Sequence, residues 1–542
     1  MKTTECIEWL WRASRGVRRH VVLSSFLGVL HVAASMSFVW VCKSLIDAVT
    51  SGSGGSLTVL ISAMAGCMLS QVILAALETR VMSRSDILLK NRLRHEIFSG
   101  LMGSVWDGKD SFHSGDALNR IMEDVRVIAD AVTKAIPALV ISCIQFLAAF
   151  AFLFILNPSL AWVVPALMLL MLLLSRSYIR RMRRLTRDIR NTESNMQSLM
   201  QESLQHRVVI HSLEKVPYVT DSLSGQQSDL QDQVMNKADY SIFARAMIQI
   251  GFSAGYAAAF LWGVFGIRAG SATFGMMTAF LQLVGQIQRP IMNLSRQLPS
   301  LINSLTSAER LGEVTSLPSE QQGDSIDLGD AAGVRFTDVS FSYPDSSEPV
   351  LSCFSHDFAP GSTTALVGET GAGKTTAMRL MLALLSPDKG MVELYNPDRC
   401  VSASPQTRCN IIYVPQGNTL MSGTIRENLL LGDPMASEEQ MYEALHIAAA
   451  DFVKELPDAL ETVCGEKGAG LSEGQAQRIA IARSLLRKGG VLLLDEPSAS
   501  LDPHTEEVLL ERLTAHLSGR TMILVTHREK AAALCTDTVR IN

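Results

Sequence analysis

The chain has 542 residues, 47% of them hydrophobic and only 19% charged, with a mean hydropathy of +0.20. That length suggests two to four domains, and the apolar excess argues against a wholly soluble protein. The net charge of −5 is mild and gives no sign of a nucleic-acid partner.

The N-terminus carries Arg12, Arg15, Arg18 and Arg19 ahead of an apolar stretch from Val21 to about Cys42. That stretch is too long for the apolar core of a signal peptide and reads as a first transmembrane helix. Six apolar segments can be drawn in all, at about 21–42, 57–77, 136–156, 160–175, 246–267 and 272–289. Most approach the ~20 residues that an α-helix needs to cross ~30 Å of hydrocarbon. The fourth is short, and Gln282, Gln286 and Gln288 dilute the sixth. From Ala135 to Ser175 there is no Asp, Glu, Lys or Arg.

Segments three and four are joined only by Asn157–Ser159, and five and six by Arg268–Ser271. Long polar stretches, 78–135 and 176–245, separate the others. The second opens with Arg176, Arg180, Arg181, Arg183, Arg184, Arg187 and Arg190, which with the basic N-terminus places both long loops and both termini in the cytoplasm. Apolar residues recur at helical spacing through Val81–Met102 and Ile189–Val209, so the membrane helices are expected to run on into the cytoplasm and turn there. None of the nine cysteines forms a C-x-x-C pair, and reduced thiols are the natural reading.

A polar, aperiodic stretch, Leu317–Gly333, reads as a linker between a transmembrane domain at 1–316 and a second domain at 334–542. Beyond it strand-like and helical patterns alternate: VRFTDVSFSY, STTALVG, KTTAMRLMLALL, VLLLD and TMILVTH. The expected fold class is therefore an all-α membrane domain with six spans, followed by an α/β P-loop domain.

Gly368-Glu369-Thr370-Gly371-Ala372-Gly373-Lys374-Thr375 matches G-x-x-x-x-G-K-[ST] between a strand and a helix, the context that motif requires. Its glycines let backbone N–H groups point at phosphate oxygens at a helix N-terminus. Lys374 would bridge the β- and γ-phosphates of ATP, and the Thr375 hydroxyl would ligate Mg²⁺, with Thr376 beside it. VLLLDEP then ends a buried strand in two carboxylates, Asp495 for the Mg²⁺ shell and Glu496 for an attacking water.

Further pieces make the pattern specific. LSEGQ (Leu471–Gln475) precedes an amphipathic helix, YVPQ ends at Gln416, and LVTH ends at His527. Here the sequence resembles the ABC transporter ATPases: LSEGQ is similar to their LSGGQ signature, Gln416 to the Q-loop, where it would join the Mg²⁺ shell, Ser498–Asp502 to the D-loop, with Ser500, Leu501 and Asp502, and His527 to the switch histidine. Tyr343 resembles the aromatic that stacks on adenine. FHSGDALNRIMEDV (Phe112–Val125), GSATFGMMTAF and SAERLGEV resemble, more loosely, segments of exporter-type members.

The resemblance implies a half-transporter working as a dimer in the cytoplasmic membrane, with ATP between two ATPase domains. The phosphate loop, Asp495, Glu496, Gln416 and His527 would act from one subunit, and Ser472, Glu473, Gly474 and Gln475 from the other. Cytoplasmic turns near Ser104–Ser114 and Gln205–Lys215 would transmit ATPase closure. Glu473 departs from the usual glycine and is expected to point outward, and DEPSASLD stands where exporters show DEATSALD. The chain stops soon after His527, where relatives usually continue, and no peptidase domain precedes the first helix, which argues against a leader-trimming transporter.

Ionisable residues are scarce in the spans, His31 being the clearest, with Arg245 and Arg268 near the ends of segment five. The scarcity favours export of an apolar or amphipathic small molecule, lipid or peptide. Gln145, Gln249, Gln282 and Gln286 suit helix–helix hydrogen bonds. The competing readings are an importer on the same fold and an ATP-gated channel or regulator.

Overall fold

The computed structural model describes residues 3–50, 57–106, 114–156, 158, 163–321, 323–344, 348–369, 371–465, 470–498, 501–516 and 519–541. Thr370, Ser500, residues 107–113 of the first expected cytoplasmic turn and the start of the fourth apolar segment lie outside the described residues, as does the side chain of Arg245. The chain forms two compact units: Met1–Phe98 with Ala117–Thr315, and Ser99–Asp116 with Ser316–Asn542.

The first unit is helical: α1 Thr3–Ala13, α2 Arg18–Thr50, α3 Leu57–Met102, α4 Gly115–Leu156, α5 Val163–Gln205, α6 Arg207–Ser212, α7 Val216–Arg268 and α8 Phe274–Thr315. Among the described residues α2, α3 and α4 are long and apolar enough to cross a membrane, and Phe274–Ile287 is a shorter apolar stretch. The 46 residues of α3 correspond to roughly 70 Å, more than twice the hydrocarbon thickness. Long helices that outrun the bilayer were the expectation from periodicity. The break after Gln205 and the short α6 fall where the second cytoplasmic turn was expected.

α8 packs along α4, α2 and α7, and α5 pairs with α7. Val39, Ala149, Leu153, Ala279, Phe280, Leu283 and Ile287 form its apolar seam, with Trp262 edge-on to Phe280 at 4.8 Å. The glutamine that dilutes the sixth segment is accommodated there: Gln145 donates to Gln286 at 2.6 Å, and Gln286 donates to Ser35 at 2.7 Å. Further down, α4 has two π-helical turns, Arg120–Asp124 and Ala131–Ala135. The first places Arg120 and Asp124 in buried positions. Arg120 donates to Glu313 at 2.8 Å, and Asp124 accepts from Ser307 at 2.8 Å and pairs with Arg310 at 3.2 Å. Two stretches that looked separately familiar, around RIMED and SAERLGE, are thus each other's partners.

The second unit has two principal sheets. Antiparallel strands β1 Gly333–Phe341, β2 Leu351–Phe358, β4 Lys389–Tyr395 and β5 Cys400–Ser402 run in the order β2-β1-β4-β5. Parallel strands β3 Thr363–Val367, β6 Ile411–Val414, β9 Val491–Asp495, β10 Thr521–Val525 and β11 Asp537–Arg540 run in the order β11-β3-β10-β9-β6. Every residue of β9 and β10 is buried, which is why their sequences are continuous aliphatic runs without alternation.

One division differs from the sequence reading, which kept 1–316 as a single domain. Ser99–Asp116 belongs with the second unit. There Val105 N–H donates to Pro318 at 2.8 Å, Glu320 N–H donates to Gly103 at 2.9 Å, and Ser104 bridges Ser319 in antiparallel fashion. The supposed linker is partly a strand-like partner for that turn.

Candidate functional site

Parallel pairing gathers the chemistry at one edge. Val525 of β10 is level with Leu366 of β3 and Asp495 of β9, and Val414 of β6 is level with Leu494. The residues leaving the carboxyl ends of these strands, Gly368, Asp495, Glu496, Gln416 and His527, must therefore meet. In open α/β sheets this edge is where ligands bind.

The phosphate loop runs from β3 into the helix Lys374–Met381, α9. Gly371 and Gly373 have φ of +91° and +97°, left-handed values that a side chain would resist. Gly368 lies so close to the Ile541 carbonyl that a Cβ there would collide with it. The Lys374 ammonium is buried and folds back on its own loop, donating to the carbonyls of Gly368 at 2.9 Å and Glu369 at 2.8 Å. Thr375 Oγ1 donates to Asp495 Oδ2 at 3.2 Å. Burial pushes the Asp495 carboxyl above its usual range, against the Thr375 hydrogen bond and with the help of neighbouring Glu496. Burial and the Asp495 charge push Tyr413 up to about 12.

Glu496 is in the left-handed region, at φ +48°. For a non-glycine residue that conformation costs about 1–3 kcal/mol and has to be held by its surroundings. Its N–H donates to the Val525 carbonyl at 3.1 Å, and its own carbonyl accepts from Gln477 Nε2 at 3.1 Å. The side chain so aimed accepts from Gln416 Nε2 at 2.9 Å and meets His527 Nε2 at 3.2 Å. Two residues 111 positions apart thus converge on one carboxylate.

Tyr343 was expected at the site, but Arg379 and Arg408 beside it belong to no motif. Tyr343 packs edge-on against Phe341 and shares its hydroxyl with Thr376 Oγ1 at 3.2 Å. Arg379, one turn further along α9, donates to the same hydroxyl at 3.1 Å and lies over the Trp106 ring at 4.7 Å. Arg408 donates to both carboxylate oxygens of Glu320, at 2.8 and 2.7 Å, and to the carbonyls of Leu382 and Ala383 just past α9. The segment holding Gly103 to Trp106 is therefore tied to the C-terminal part of the phosphate-loop helix. Nothing local in the sequence signals these pairings, because each joins residues far apart in the chain.

Residues 21–291, half of the chain, match the ABC transporter transmembrane region, and residues 351–499 match the ABC transporter family. This chain belongs to the ABC transporter family. It is an ATP-hydrolysing transporter and a multi-pass membrane protein. It is 27% identical over 512 residues to the leukotoxin translocation ATP-binding protein LktB of Bibersteinia trehalosi, covering 94% of this chain and 72% of that one. The same protein from Mannheimia haemolytica matches equally, at 27% over 512 residues with the same coverage. The fold is also that of a bacterial Atm1-family ABC exporter solved with ATP bound, at a TM-score of 0.81 and 22% identity, over 97% of this chain and 94% of that one.

The ABC signature lies on a different element. Ser472 caps the helix Glu473–Leu485, and Ser472 and Gln475 form a reciprocal capping box, at 2.9 and 3.2 Å. The Gln475 side chain is thus committed to its own helix. Glu473 is exposed at the first helical position, where a carboxylate suits the helix dipole, as expected of a side chain pointing outward. Among the described residues no hydrogen bond or ion pair links Ser472, Glu473 or Gly474 to the phosphate loop. In the D-loop, Asp502 caps the helix Pro503–His516 by accepting from the His504 and Thr505 N–H groups at 3.1 and 3.0 Å. Arg528, next to His527, pairs with Glu506, which accepts from Ser498 at 2.6 Å.

Proposed function

We propose that this chain is one half of a dimeric exporter that uses ATP hydrolysis to move an apolar or amphipathic compound, whether lipid, drug or peptide, across the cytoplasmic membrane. The convergence of Gln416 and His527 on Glu496, beside Lys374, Thr375 and Asp495, carries this reading. The similarity to a translocation protein and to an exporter supports the direction. The arginine-rich start of the second long polar stretch supports cytoplasmic termini.

In this reading the phosphates of ATP take the place of the loop carbonyls that now accept from Lys374, and the N–H groups of Gly371 to Thr376 cradle them. Tyr343 offers its ring to adenine. Glu496, fixed through both oxygens, polarises the attacking water, and His527 reaches the γ-phosphate. Thr375 Oγ1, Asp495 and the amide oxygen of Gln416 would hold Mg²⁺: all are hard oxygen donors, and a cation would relieve the buried Asp495 charge. Mg²⁺ there supplies charge neutralisation on the phosphates. Ser472 and Gly474, remote from their own phosphate loop, complete the partner subunit's nucleotide site, with Leu501 and Asp502 at the junction. ATP binding then favours one membrane conformation and hydrolysis releases it, which is alternating access.

The test is ATPase activity of the purified chain in lipid nanodiscs, with its mass measured in the same sample. A dimer that hydrolyses ATP and falls silent in Glu496→Gln supports the reading. Undiminished turnover in that variant contradicts it.

A further inference from the structure

The membrane half sets a carboxylate, at the start of a long polar stretch in the sequence, beside the clearest ionisable residue of the spans. Glu78 follows the second apolar segment, yet it lies on the unbroken α3, and its Oε2 is 4.0 Å from His31 Nδ1 of α2. His31 is twelve residues from both Arg19 and Lys43, the nearest Lys or Arg on either side of it along the helix. Each lies about 18 Å away along the axis, so His31 is near the middle of the span. Glu78, in contact with it, is at the same depth.

A carboxylate at that depth is costly unless it is paired. Among the described residues Glu78 makes no hydrogen bond, and the 4.0 Å approach of His31 is too long to be one. The neighbouring cations are occupied elsewhere: Lys43 with Asp47 at 2.9 Å and Lys90 with Asp86 at 2.8 Å. Arg80 is two residues on and is turned roughly 200° around the helix. The positions one turn either side, Leu74, Ala75, Val81 and Met82, are apolar. Opposite stands Gly28, where an added Cβ would meet Ile141 of α4 and lie 3.4 Å from Glu78 Oε1, so the wall there is apolar. Neither side chain is sealed, at 24% exposed for Glu78 and 37% for His31.

An accessible, uncompensated carboxylate in an apolar setting, beside one flat imidazole, is complementary to a positive charge carried on an apolar body. We propose that Glu78 and His31 form a cargo site for amphipathic cations, Glu78 taking the charge and His31 flanking it. This rests on the exporter reading and names the substrate class within it.

The probes are tetraphenylphosphonium and its near-isosteric anion tetraphenylborate, bound at equilibrium without nucleotide to the full chain in nanodiscs of uncharged lipid. The expected result is saturable binding of the cation that weakens by roughly tenfold or more in Glu78→Gln, recovers in Glu78→Asp, and has no counterpart for the anion. The elution volume and thermal melting of Glu78→Gln in the same nanodiscs, measured in parallel, should match those of the parent and so report that the variant is folded. Equal cation affinity in parent and Glu78→Gln, or no saturable binding to the parent, overturns the proposal. Because binding is read without ATP, a chain inactive as an ATPase would defeat the exporter reading while leaving this result interpretable.

Discussion

Glu496 and Glu78 are carboxylates placed under opposite conditions. Glu496 has partners on both oxygens, a strained backbone held by two further hydrogen bonds, and a site assembled from four parallel strands. Glu78 has one distant imidazole and apolar neighbours on two helices. The first is a preorganised group whose geometry is fixed before anything binds. The second is a carboxylate without a hydrogen-bond partner among the described residues, the feature on which the proposed cargo site rests. A rigid scaffold serves a fixed reaction, whereas an unsatisfied group serves recognition.

The sharpest way to break the comparison is Glu496→Gln, which removes the base while keeping both neighbours within reach. Hydrolysis should fall by about 10²–10⁴-fold, measured by phosphate release, while ATP still binds.

Asp495→Asn should separate catalysis from stability. Burial raises the Asp495 pKa above 3.8, so the folded chain holds that proton more tightly than the unfolded chain does. Stability therefore falls as pH rises from the unfolded value through the folded one, and the penalty is fully present above both. Without nucleotide, Asp495→Asn should melt higher than the parent at neutral pH, the gain fading as pH falls to about 4. Mg²⁺-dependent hydrolysis should be largely lost. A lower Tm at neutral pH would contradict the buried-charge account.

Arg408→Ala removes a bidentate ion pair and two bonds to carbonyls at the end of α9. It should destabilise the ATPase unit by about 2–3 kcal/mol, the range for charge-assisted bonds. Chemical denaturation followed by a probe in that unit checks this. The smallest effect belongs to the membrane layer. Gln286→Leu, which breaks the chain from Gln145 to Ser35, should cost only about 0.6–1.7 kcal/mol, with a double-mutant cycle against Gln145→Leu isolating the direct bond.

The cluster of Lys374, Thr375, Gln416, Asp495, Glu496 and His527 was legible because each residue sits in a short contiguous pattern whose chemistry depends on local spacing. A phosphate loop needs glycines at fixed offsets, and a buried strand ending in two acids announces its own burial. Glu78 was not legible: its depth depends on which turn of α3 lies beside α2, and hydropathy alone marks a charged residue as the end of a span. Arg408 with Glu320, Arg379 with Trp106, and Arg528 with Glu506 were hidden for a related reason, since an isolated Arg reads as solvated surface.

By itself the sequence determined the family, the order of membrane and ATPase halves and the candidate residues for a nucleotide site, because periodicity and local loop geometry are properties of neighbouring residues. Only the tertiary structure decided that residues 99–116 belong to the second unit, that RIMED and SAERLGE hold each other, and that Glu78 lies beside His31. Those facts follow from register between distant segments, which packing sets and no short stretch encodes.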